Sequence, residues 1–203
     1  MAPGTKRAGR SRDGAIDERV LAAAGRHLAW RGYEALSLAA VAEEAGTSRQ
    51  ALYRRWPDKA ALASAVVATL ADAKPADGSS EDLFAALVAE LADFQRGVSR
   101  QGRMSLVGTM LQAGTDPNVL ARYRTNVVAP RRRRLRAILE TAQQAGLVDA
   151  DADLDVAVTM CTGSWYGRAL TGMKPPPRWP HRSAALVWRA IGGRLPAAVG
   201  ART

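Results

Sequence analysis

The chain has 203 residues, 47% of them apolar, and a formal net charge of +10 at pH 7 from 29 Lys+Arg against 19 Asp+Glu. That length and apolar content suffice for a buried core without disulfide or metal staples, and they exclude an intrinsically disordered chain. With Cys161 as the single cysteine and His27 and His181 far apart, an intrachain disulfide and a thiol-rich metal site are excluded, and no metal, cofactor or catalytic residue is expected.

The lysines are Lys6, Lys59, Lys74 and Lys174, so arginine carries the excess charge. Its guanidinium fork matches phosphate geometry, although positive charge equally serves solubility. The basic N-terminus has no apolar stretch behind it, and the longest apolar run, Ala60 to Ala71, is broken by Ser64 and Thr69. Neither a signal peptide nor a membrane span is expected, which makes a cytoplasmic protein the simplest reading.

Taken in chain order, the readable segments have helical spacing and none reads as a strand. Ile16, Val20, Ala24 and Leu28 recur on one face of a first helix that ends at Gly32, with Gly25 inside it and His27 read as a core or hinge-facing residue. Ser37 caps a second helix from Leu38 to Ala45, stopped by Gly46. Thr47 or Ser48 caps a third that runs to Trp56, where Pro57 breaks it. Asp58 caps a fourth from Lys59 to about Ala73. Residues 74–80 read as a linker. Leu83, Leu87, Leu91 and Phe94 mark a fifth helix, Met104 to Ala113 a sixth, and Asp116-Pro117 opens a seventh reaching Gly146 with an interruption at Pro130. Asp153 caps an eighth helix to about Thr171, a proline-rich loop follows from Gly172 to Pro180, and Ser183 to Leu195 is the ninth. The fold class is all-α with about nine helices. The domains read as a basic arm (1–14), a helix-turn-helix unit (15–60) and a C-terminal helical domain (61–203).

The informative stretch is Ser37 to Lys59, two short helices joined at Gly46. Val41, Ala42, Ala45, Ala51 and Leu52 supply the inward face. Ser48, Arg49, Gln50, Tyr53 and Arg54 supply an outward set of donors and acceptors suited to base edges and phosphates. Residues 15–62 resemble the DNA-binding domain of the TetR/AcrR family of bacterial regulators, through Val20-Leu-Ala-Ala-Ala24, Arg31-Gly-Tyr33, Val41-Ala, Ala45-Gly46, Leu52-Tyr53 and Trp56-Pro-Asp-Lys59. Ala129-Pro-Arg-Arg, Ala145-Gly-Leu and Gly163, Tyr166, Leu170, Gly172 are similar to one effector domain of that family.

The resemblance implies that Arg49 and Gln50 read bases, with Ser37, Thr47, Ser48, Tyr53, Arg54, Trp56 and Lys59 completing the DNA face, mostly through the backbone. For Tyr53 and Trp56 the alternative is packing; for Arg54 and Arg55 it is a solvated face. Glu43 and Glu44 should point away from phosphate. Lys6, Arg7, Arg10 and Arg12 form an arm that either enters the minor groove or stays a solubilising tail. The implied partners are a palindromic double-stranded operator, a second copy of the chain and a small effector, with no membrane. The dimer face is expected from Ala157, Gly163, Leu170, Leu186, Val187, Ala190 and Ile191, with intrachain core the alternative that must hold for some of them. The effector pocket is expected from Phe84, Leu87, Leu91, Met104, Met110, Tyr123, Val127, Trp165 and Tyr166, for which plain core is the alternative. The functional expectation is a repressor released by an apolar effector; the alternative is a non-specific or constitutive DNA-binding protein without one.

Two other constellations invite chemistry and fall short. In the Arg131–Arg136 run, some side chains should pair with acids on neighbouring helices and the rest be solvated. The aspartates from Asp149 to Asp155 mimic a calcium loop, but Leu154 stands where glycine is required, so capping explains them better.

Overall fold

A computed structural model describes residues 9–71 and 82–195 (9–13 by backbone alone). The linker expected at 74–80 and the arm residues Lys6 and Arg7 lie outside the described residues. The elements are α1 (Gly9–Arg31), α2 (Leu38–Glu44), α3 (Arg49–Arg55), α4 (Lys59–Leu70), α5 (Leu83–Val98), α6 (Arg103–Met110), α7 (Pro117–Tyr123), a π-helical turn (Arg124–Val128), α8 (Ala129–Gln144), α9 (Leu154–Leu170) and α10 (Trp179–Ala190). Among the described residues there is no strand, and no helix is long and apolar enough to cross a membrane.

Most boundaries follow the local signals. Side chains of Ser37, Ser48, Asp58, Asp82, Asp116 and Asp153 each accept a backbone N–H in the first turn of the helix they precede. Several boundaries differ from expectation; the sixth helix ends at Met110 instead of Ala113 and the last at Ala190 instead of Leu195. The first helix begins at Gly9, so Arg10 and Arg12 lie within α1 rather than ahead of it. The last begins at Trp179 instead of Ser183, because Pro180 sits in the first turn, where a missing N–H leaves no bond unmade. The expected seventh helix is divided into α7, the π turn and α8. Pro130 has no N–H to give the Asn126 carbonyl, and the wider π turn before it carries the chain past the ring.

Two compact units result. The first contains α1–α4 with α6, α7 and the π turn; the second contains α5 and α8–α10. In the first, Val20, Ala23, Ala24 and Leu28 of α1 are fully buried with Leu62 and Ala63 of α4. Leu106 and Met110 of α6 and Val119 and Tyr123 of α7 join that core. Thr109 Oγ1 donates to the Leu28 carbonyl (2.8 Å), which fixes α6 on α1. The second unit packs α5 against α8 and α10. Its core pairs aliphatics such as Leu87, Leu91, Leu135 and Leu139 with an aromatic group in which Phe94 meets Trp165, Tyr166 and Trp179.

The arginine run sorts as expected. Arg134 makes a bidentate contact with Glu90, which is 2% exposed, and Arg131 approaches both Glu90 and Asp93 while lying over the Phe94 ring. Arg136 pairs with Glu140 and Asp155, and Arg133 is exposed. Of the aspartates, Asp153 caps α9 and Asp155 meets Arg136. No cluster of three or more ligating side chains occurs among the described residues.

Candidate nucleic-acid interface

The turn between α2 and α3 is set by one glycine. Gly46 has φ +65°, a left-handed conformation open to glycine at little strain. Its N–H bonds the Glu43 carbonyl at 3.1 Å and the Thr47 N–H bonds the Ala42 carbonyl at 3.0 Å, a Schellman closure of α2. Ser48 then caps α3 through the Ala51 N–H at 3.1 Å.

Leu52 is buried beneath α3, while Ser48, Arg49, Gln50, Tyr53 and Arg54 are exposed. Arg49, Gln50 and Arg54 make no hydrogen bond or ion pair with the described residues, so their donors are open to a partner. Thr47 and Trp56 are half-buried, and Trp56 packs on the core. Ser37 and Ser48 accept backbone N–H groups as caps, which leaves each hydroxyl proton to donate outward.

α1 holds this pair of helices through polar contacts that sequence spacing does not display. Asp17 pairs with Arg55 of α3, and Arg19 Nε donates to the Ala45 carbonyl at the turn (3.1 Å). Glu44 of α2 is gripped by Arg26 (2.6 Å) and His27 (2.8 Å). Those hydrogen bonds, with Arg26 first, hold the Glu44 carboxyl below the usual carboxylate range. The acid is thus committed to α1, and Arg55 is committed to Asp17 instead of to solvent.

Lys59, the first residue of α4, donates from Nζ to the Glu34 carbonyl at 3.3 Å and lies 4.8 Å from the Tyr33 ring centre. Tyr33 is buried, and that burial, followed by the Asp116 and Asp58 carboxylates, raises its hydroxyl above the ordinary value. The sequence offered Tyr33 only as part of a motif, with no role attached.

The chain matches the model of the bacterial regulatory proteins of the tetR family over residues 20–66, and a tetracyclin repressor-like C-terminal domain model over residues 74–187. It belongs to the TetR family. YdeS of Bacillus subtilis (strain 168), an HTH-type transcriptional regulator, is 30% identical over 166 residues, covering 80% of this chain and 82% of YdeS. An HTH-type regulator of Mycobacterium tuberculosis (strain ATCC 25618 / H37Rv) is 35% identical over 83 residues, 39% of this chain and 44% of its own. Among solved structures, the TetR family regulator SCO0332 is 30% identical with a TM-score of 0.54, covering 89% of this chain and 99% of that one. The flavonoid-responsive regulator FrrA shares the fold at 21% identity and a TM-score of 0.64, covering 88% of this chain and 95% of that one. The protein is therefore a helix-turn-helix, DNA-binding transcriptional regulator.

The other candidate residues are spread more widely. Of the pocket candidates, Met104, Met110, Tyr123 and Val127 belong to the first unit, where Met110 and Tyr123 are core and Val127 packs against it. Phe84, Leu87, Leu91, Trp165 and Tyr166 belong to the second, so the set does not line one cavity of either unit. Phe84 borders a groove of about 710 Å³ with Leu147, Trp188 and Arg194. Of the dimer candidates, Ala157, Val187 and Ile191 are buried within the protomer. Gly163, Leu170, Leu186 and Ala190 are on the surface. Val156 and Met160 extend the apolar stripe on α9 and, with Gly163 and Leu186, line a groove of about 570 Å³. Sequence reading missed those two because the expected stripe was phased through Ala157, next to Val156 on the helix.

Proposed function

We propose that this TetR-family regulator is a homodimeric, ligand-responsive repressor that binds a palindromic operator and leaves it when a small, largely apolar effector binds. The observation that carries the reading is the outward face of α3. Arg49 and Gln50 stand exposed and unpaired on a helix whose other side is locked to α2 and α1. Arg49 has the fork for guanine and Gln50 the amide for adenine. Around them, Ser37, Thr47, Ser48, Tyr53, Arg54, Trp56 and Lys59 hold the phosphate backbone, which fixes register without reading sequence.

One such unit covers too little DNA to select a site, and two of them serve if their α3 helices lie ~34–36 Å apart. The exposed apolar stripe Val156, Met160, Gly163 and Leu170 of α9, with Leu186 and Ala190 of α10, is the surface for pairing. The responsiveness of the neighbouring fold FrrA to a flavonoid, as its name states, supports a small organic effector. Effector binding shifts the protein between DNA-competent and DNA-incompetent states only by its differential affinity for the two.

The test is selection of duplexes from a random-sequence library, then footprinting with and without a panel of apolar aromatic compounds. A two-fold-symmetric site, released by one of the panel, supports the reading. Random duplex competing as well as the selected site would overturn it, and a symmetric site that no compound releases would remove the effector.

A further inference from the structure

Two basic side chains border the helix-turn-helix, and they are held in chemically different ways. Arg55 is neutralised by the Asp17 carboxylate, a partner that competes with phosphate. Lys59 is held by a backbone carbonyl and an aromatic face, neither of which carries a net charge to compete with phosphate.

We propose that Tyr33 is a positioning residue for the phosphate contact of Lys59, its ring and the Glu34 carbonyl fixing the ammonium before DNA arrives. The proposal rests on the reading of Lys59 as a phosphate ligand. A lysine ends a four-carbon stem and loses rotamer freedom whenever it is held, so an unheld lysine bears that cost when it meets DNA. Here the ammonium lies 4.8 Å from the ring centre, inside the ~6 Å reach of a cation–π contact. The ring itself is fixed, being 6% exposed and part of the core with Val20, Leu38 and Leu62. Of the three ammonium donors, one meets the Glu34 carbonyl and one the ring face. The third is left for a phosphate oxygen. Lys59 is thereby oriented by partners that carry no net charge.

The experiment measures affinity for a labelled duplex selected from a random library, across a salt series. Tyr33→Phe keeps the ring and is expected to bind as the unmodified protein does. Trifluorophenylalanine at position 33 keeps the ring shape but removes its negative face. It is expected to weaken binding about two- to five-fold per protomer, and by the square of that for a dimer, because the ordering of Lys59 is deferred to binding, while the lost contact lowers the melting temperature by at most a few degrees. In a Lys59→Gln background the same fluorination is expected to do nothing. An effect of equal size in that background would show Tyr33 acting on structure alone and overturn the proposal, as would no effect in the Lys59 protein. If Lys59→Gln itself bound duplex normally, the phosphate role of Lys59 would fail and this proposal with it, an outcome readable separately from the fluorination arms.

Discussion

Leu170→Glu on α9 separates the dimer face from the protomer core. Leu170 is 88% exposed in the protomer, so replacing it removes almost no intrachain packing, and exposed substitutions of this kind stay within about ±0.5 kcal/mol. If the α9 stripe pairs two subunits, both copies of Leu170 leave water on association, worth about 1.5–3 kcal/mol each. The loss is then about 3–6 kcal/mol per dimer, more than a hundredfold in the dissociation constant, before any repulsion between the new carboxylates. Sedimentation equilibrium reads the association, and thermal unfolding under monomeric conditions reads the protomer. Weakened association with an unchanged protomer melting temperature is expected, together with lost binding to a two-half-site duplex. An unchanged dimer would refute the assignment of this stripe.

Four further outcomes rest on packing and burial. Glu90→Leu removes the buried carboxylate that Arg134 grips from a half-buried position and should destabilise the protein by about 1–3 kcal/mol in a urea titration. Gly25→Ala should raise the melting temperature, since the added carbon would sit at ordinary contact distance, 3.7 Å, from Val66, and a helix-interior glycine costs about 0.5–1 kcal/mol. Burial pushes the Cys161 thiol from its usual 9.0 up to about 12. The folded state therefore keeps a proton that the unfolded chain releases, so stability should fall as pH rises between those values. At neutral pH a thiol reagent should label Cys161 only as fast as the protein opens.

The elements most legible in the sequence are those that local chemistry decides. The caps at Ser37, Ser48, Asp58 and Asp153 and the glycine at 46 act within one turn, and their signals are the residues themselves. Where a helix docks is a property of two surfaces at once, which spacing along one chain does not encode. Met110 and Tyr123 look equally suited to a ligand cavity or a core in the sequence, and the side chain that docks α6 on α1, Thr109 bonding the Leu28 carbonyl, is an unremarkable threonine there. The same applies to Val156 and Ala157, one residue and about 100° apart on α9, one exposed and one buried. The grip of α1 on Glu44 and the seat of Lys59 on Tyr33 were invisible for that reason.

The most direct measurement of sequence reading by α3 is a library selection repeated with Arg49→Ala and Gln50→Ala. The unmodified protein should select two inverted half-sites about one helical turn, or a multiple of it, apart. Each variant should lose preference at one symmetric position, about 1–3 kcal/mol of discrimination, while keeping its affinity for the remaining bases. Variants that select the same sequence as the unmodified protein would contradict the claim that this helix reads the bases.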